Sequence, residues 1–153
     1  MEQQKAESLL EAKNLLISAR NATLSVIDPE TGGPFGTLVN VAVDAEATPV
    51  LLVSKLSRHV QALLKDPRAS VMVAGPPPLD RDPLTELRLT VTGHFKICKK
   101  PESRQVYLAR HPYASLYADF GDFNFWRMRP DRIFVVGGFG RIYASDFKDI
   151  LDI

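Results

Sequence analysis

The stretch "SKLSRHVQALLKDPR", residues 54–68, lies between two apolar runs, "VLLV" at 50–53 and "SVMV" at 70–73. Runs of this length and β-branched content read as buried strands. Hydroxyls and cations at the end of a buried strand are costly unless something polar meets them. Ser54, Lys55, Ser57, Arg58 and His59 fall within six residues at this strand-to-helix corner. Ser57 is placed to cap a short helix, with Val60, Leu63 and Leu64 on its inward face. Asp66 precedes a proline and is biased out of the α region, so the helix ends there. A helix N-terminus exposes unpaired N–H groups and carries partial positive charge. Arg58 can grip an anion with two parallel bonds, and His59 can add a third. The corner therefore predicts a phosphate-type ligand; the bland alternative is a serine cap followed by solvated cations.

Upstream of the corner, "KAESLLEAKNLLISAR" at 5–20 carries Leu9/Leu16 and Leu10/Ile17 at seven-residue spacing, with Ala12 and Ala19, and predicts an amphipathic helix. "ATLSVI" (22–27) and "PFGTLVNVAV" (34–43) predict strands joined by the turn cluster "DPETGG". With "VLLVS" they predict an antiparallel meander. Downstream, "ASVMVAG" is a fourth strand, and "PPPLDRDPLTE" (76–86) a stiff surface loop. "LRLTVTGHFKI" (87–97) is a long alternating strand with Arg88 on its polar face and a bulge or bend at Gly93. "PESRQVYLARHPYASLYADF" (101–120) predicts a helical pair broken at His111–Pro112. "FNFWRMRP" (123–130) and "RIFVVG" (132–137) close the set as two strands, and "GGFG" (137–140) is a loop that approaches something closely. The aromatic cluster of Phe120, Phe123, Phe125 and Trp126 predicts core or subunit interface, with a stacking surface for a flat ring as the lesser reading.

The chain has 153 residues, 45% hydrophobic and 24% charged, enough for one domain with its own core. The expected domain is residues 1–153, with a helical N-terminus at about 5–20 and a barrel at about 21–145. The expected class is mostly β with α: an antiparallel barrel of six to seven strands with peripheral helices. Net charge is +1, which argues against nucleic acid as a partner. The single cysteine, Cys98, makes neither an intrachain disulfide nor a cysteine zinc cluster. No two of the three histidines have metal-ligand spacing, so no metal site is expected. The charged start and the absence of a long apolar run predict a soluble cytoplasmic protein with no membrane partner.

The stretch "PFGTLVNVAVDAEATPVLLVSKLSRHVQALLKDPRASVMV" (34–73) resembles the core of the FMN-binding split-barrel superfamily, the pyridoxamine 5′-phosphate oxidase-like proteins. There a strand ends in Y-T-N-x-x-S-R-K before a helix and N-P-R; here "SRH" and "DPR" stand in those places. The longer pattern "LSRH…DPRAS…DPL…RLTVTG…YLARHPYASLYADFGDF…VVGGFG" is similar to the branch that holds the HugZ-type haem-utilisation proteins and the CREG-like cellular-repressor proteins. The resemblance covers about residues 20–145. It implies a split β-barrel and a homodimer with sites between subunits. It puts FMN phosphate on Ser57, Arg58, His59 and Arg88, with Thr37, Ser54 and Lys55 along the cofactor. Tyr107, His111 and Ser115, within "YLARHPYAS", are the implied small-molecule substrate residues, with Arg141 and Tyr143 a loose echo of a C-terminal motif. No catalytic residue is singled out. The chain departs from the oxidase at Thr37 and Ala42, which replace an arginine and a lysine. Each lost charge-assisted bond weakens anion binding by about 1.5–3 kcal/mol. Three functions follow from the resemblance: an FMN-dependent oxidoreductase, a haem-binding or haem-utilisation protein with haem in place of FMN, and a non-catalytic interaction module.

Overall fold

The alternating runs form one antiparallel sheet that curls on itself, and this computed structural model describes residues 2–153. The elements in order are α1 (Gln3–Ser18), β1 (Asn21–Ile27), β2 (Pro34–Asn40), β3 (Ala42–Val43), β4 (Pro49–Ser54), α2 (Arg58–Lys65), β5 (Arg68–Ala74), β6 (Arg88–Ile97), α3 (Pro101–Arg110), β7 (Phe123–Val136), β8 (Ile142–Asp146) and α4 (Lys148–Leu151). Short 3₁₀ turns cover Pro83–Thr85 and Pro112–Leu116. The strand order is β2-β1-β5-β6-β7-β4-β3, with β8 added to the far half of β7. This is the antiparallel barrel that the sequence predicts, split as the family resemblance implies.

The expected meander is half present. β1 pairs with β2 from Asn21↔Asn40 to Ile27↔Pro34. β4 instead pairs with the two-residue β3 and with β7. The predicted strand 34–43 is interrupted at Val41, whose N–H donates to Arg20 across 3.0 Å. β2 and β3 then stand at opposite edges of the sheet, so the chain itself bridges the split at one residue. The closure is decided by how far the whole sheet curls, which local alternation does not encode.

The strand expected at 123–130 and that at 132–137 are one strand, β7. Pro130 fits inside it because β7 is bulged there: Thr92 faces Arg132 and Gly93 faces Pro130, so Asp131 has no partner on β6. A Cβ on Gly93 would lie 2.2 Å from the Arg129 carbonyl oxygen, so the residue must be glycine. "GGFG" is the β7–β8 hairpin; Gly138 has φ +109 and packs where a Cβ would sit 3.1 Å from the Thr85 carbonyl. β8 was not predicted. Its alternation is short and lies entirely on the sheet's edge.

Two apolar clusters flank the sheet. The main core fills the barrel with Leu24, Leu51, Val71, Leu89, Val91, Phe95, Trp126 and Ile133, and α1 adds Leu9, Ala12 and Leu16. Leu10, Ile17 and Leu64, expected to face inward, are 43%, 42% and 55% exposed, because each helix buries only one narrow stripe. The second cluster lies outside the barrel. There Val50 and Leu52 meet Tyr107, Ala114 and Ala118, with Phe123 and Phe125 alongside. β4 is thus buried on both faces, which explains its unbroken apolar run. No helix among the described residues is long and apolar enough to cross a membrane.

Candidate functional site

The corner after β4 is held by its own hydroxyls together with Asp122, far along the chain. The Ser54 hydroxyl donates to Asp122 Oδ2 at 2.6 Å and accepts from the Leu56 N–H at 3.1 Å. The Lys55 N–H donates to the Asp122 carbonyl at 2.8 Å, and the Lys55 side chain is exposed. Ser57 occupies the cap position of α2 as expected, but its hydroxyl donates backward to the Ser54 carbonyl at 2.6 Å and does not cap the helix. The first turn of α2 keeps its N–H groups free of any side-chain cap.

Arg58 is committed to the β1–β2 turn. Its Nη2 donates to Asp28 Oδ2 at 2.6 Å and to Glu30 Oε2 at 3.1 Å, and its guanidinium lies 5.6 Å from the Phe35 ring centre. The Asp28 carboxyl is held below the usual carboxylate range, chiefly by the hydrogen bond from Arg58. Two carboxylates on one guanidinium leave this point poor in positive charge.

His59 is different. It is half-buried, and no hydrogen bond or ion pair reaches its ring among the described residues. Burial alone lowers its pKa from the ordinary 6.5, so the ring is neutral at pH 7. It lines an open cleft of about 280 Å³ that sits over the split between β2 and β4. Leu38 and Asn40 of β2, Leu52 of β4, Tyr107 of α3, Tyr117 and Phe123 form the walls. Tyr107 is almost fully buried, and burial pushes its phenol pKa upward. Its ring stands 4.9 Å from His111 and 5.8 Å from Phe125.

The remaining predicted residues do not converge on this cleft. Thr37 lies on the face of β2 opposite Leu38 and Asn40, paired across to Leu24. Arg88 begins β6 beside Ala74, the end of β5 remote from Ala69, and donates to the Leu84 carbonyl at 3.0 Å. The Asp28 that holds Arg58 lies at the other end of β1, so one chain keeps Arg58 and Arg88 apart. His111 is 1% exposed, with Nε2 2.9 Å from the Val41 carbonyl and Nδ1 2.9 Å from the Tyr113 hydroxyl. Both ring nitrogens are thereby used. Ser115 is exposed in the 3₁₀ turn after His111. Arg141 donates to Ser8 at 3.1 Å and Glu11 at 3.0 Å, and Tyr143 donates to Gln4 at 2.9 Å; both tie β8 to α1. His94 is half-exposed, 3.5 Å from Asp131. Among the described residues, no three metal-ligating side chains gather.

The sequence reading missed Asp122, Asp28 and Glu30 as partners of the corner, and Leu38, Asn40 and Tyr117 as cleft walls. The "DPE" acids read only as a turn, and nothing local ties a turn at 28 to a helix at 58.

Residues 3–147 match the protein family described as CREG, beta-barrel. The chain is 39% identical over 110 residues to the chloroplastic non-canonical heme oxygenase HOZ of Arabidopsis thaliana, covering 70% of this chain and 33% of that protein. The solved structure of a heme binding protein from Mycobacterium smegmatis matches with TM-score 0.86 at 28% identity, covering 99% of this chain and 62% of that one. This chain thus spans a third of the plant relative's length and less than two thirds of the mycobacterial one's. A protein of the pyridoxinephosphate oxidase family from Clostridium acetobutylicum, related to general stress protein 26, matches with TM-score 0.71 at 16% identity, covering 95% of this chain and 98% of that one. At that identity the likeness is one of fold.

Proposed function

This chain belongs to the CREG β-barrel family, and from that membership we propose that it is a haem-binding protein, with the porphyrin seated in the cleft beside His59. The observation that carries the reading is a half-buried, neutral, unpartnered imidazole in a cleft whose walls are mainly aliphatic and aromatic, with Asn40, Ser54 and Ser57 as its polar members. A neutral imidazole is the form that ligates iron. His59 would hold the iron, and Leu38, Leu52, Tyr107, Tyr117 and Phe123 would face the macrocycle. His111 is excluded as a ligand by its two hydrogen bonds. Haem here is cargo or substrate, and its iron supplies the redox chemistry. A plant relative named as a heme oxygenase and a mycobacterial one named as heme binding support the reading.

The cleft is open, and Leu38, Leu56 and Phe120 beside it are 73%, 82% and 57% exposed. The proposal therefore includes a homodimer in which a second copy closes over this apolar rim.

Haem titration of purified protein tests the reading. A shifted Soret band is expected, retained in His94→Ala and lost in His59→Ala. No shift, or an unchanged band in His59→Ala, overturns it.

A second reading, an FMN-dependent oxidoreductase acting on a small molecule, is favoured by one observation. The first turn of α2 is uncapped and stands beside Ser57 and His59, a fitting cradle for a phosphate. Against it stand Asp28 and Glu30, which already occupy Arg58. Ser57, Arg58 and His59 would hold the phosphate, with Ser54, Lys55 and Thr37 along the cofactor and Arg88 supplied by the second copy. Under this reading FMN fluorescence is quenched on binding, Arg58→Ala abolishes the effect, and Asp28→Asn strengthens it.

A further inference from the structure

The cations of β6 and β7 are arranged in a way that the cleft does not use. In the ladder Lys96 stands directly opposite Arg127, and Arg129 follows two residues along the same face of β7. Like charges set opposite one another disfavour the sheet, so the arrangement calls for compensation. Arg127 has it, at 2.7 Å from Asp44 and 3.6 Å from Glu46. Lys96, Lys100 and Arg129 have no ion-pair partner among the described residues, and Lys96, Lys100 and Arg129 are all exposed. All four cations line one groove of about 380 Å³ with Ile97 and Cys98, and no carboxylate lines it. For a chain of net charge +1 this is a strong local concentration of positive charge.

We propose that this groove, between the outer face of β6–β7 and the start of α3, is a binding site for a compact oligophosphate, separate from the His59 cleft. The groove's chemistry selects the ligand class. Three unpaired cations beside a fourth favour a ligand with several negative charges over a monoanion. The lining holds no aromatic ring on which a base would stack. The groove adjoins a second hollow that shares Lys100 and Arg127 but is lined by Asp44, Glu46 and Glu102. Those acids bound the positive zone on one side, so a long polyanion such as nucleic acid meets repulsion there, whereas a pyrophosphate or triphosphate does not. The site is distinct from the cleft: Arg127 and Arg129 lie four and six residues along β7 from Phe123, roughly 13–20 Å at strand rise.

The chain's single thiol reports on the groove, because Cys98 lines it. Inorganic triphosphate is titrated by calorimetry into the intact protein, and Cys98 alkylation by iodoacetamide is timed with and without it. Saturable, salt-sensitive binding and slowed alkylation are expected. The double variant Lys96→Gln, Arg129→Gln should weaken binding at least tenfold and restore the alkylation rate. Lys5→Gln and His59→Ala should leave both unchanged. Absence of saturable binding, or equal binding by the double variant, overturns the proposal. So does binding that fails in Arg58→Ala instead, since that outcome places the triphosphate at the α2 corner.

Discussion

His111 spends both ring nitrogens inside the protein, joining the break between α3 and the following turn to Val41 at the barrel's split. His111→Ala strands a buried carbonyl and opens a void, and should cost about 2–4 kcal/mol in urea denaturation without touching the cleft directly. His59 keeps its ring free, and its lowered pKa sets a pH dependence. The folded state binds its proton less readily than the unfolded state, whose value is near 6.5. Stability owed to this group is therefore full above pH 6.5 and declines as pH falls below it, levelling once pH passes the lowered folded value. Iron ligation should persist below pH 6.5 for the same reason, and fail as the folded ring protonates. A Soret titration against pH checks this; loss of the band already above pH 6.5 contradicts it.

At the scale of elements, the pairing of β6 with β7 depends on one glycine. Gly93→Ala forces a Cβ into the Arg129 backbone, where no side-chain rearrangement relieves it. The expected loss is about 3 kcal/mol, read as a lower urea midpoint with unchanged slope. The same bulge lets Pro130 sit within a fourteen-residue strand. A proline read alone marks a strand end; here the bulge at the adjoining Asp131, set against Gly93 of β6, carries the strand past it. The corner of α2 shows the same limit. "SKLSRH" announces a strand end, a cap position and a ligand, and the helix stops at Asp66 as its proline requires. The bonds that shape it come from Asp122 and from the β1–β2 turn, at 68 and 30 residues' separation.

At the scale of the molecule, the barrel is closed by the chain passing through Val41 and not by a hydrogen-bonded seam. The cleft lies over that gap, walled by β2, β4 and the α3 region, and is open to solvent on one side. Sedimentation at micromolar concentration should report twice the mass of one chain, and Leu38→Glu with Leu56→Glu should shift it to one; a monomeric wild type removes the second copy from the proposal.

Alternation, turn residues and the two prolines at 67 and 112 place most strands, break the long helical run and point to an antiparallel barrel, because each acts through neighbours a few residues away; that the barrel is split came from the family resemblance. The spacing of histidines told nothing of their roles. Which imidazole is buried and bonded, which is paired to an acid, and which is left free beside a cleft depends on groups brought together from tens of residues apart. Burial and partner choice arise only when the sheet curls and α2 and α3 pack against its split, and those long-range contacts are what the fold alone decided.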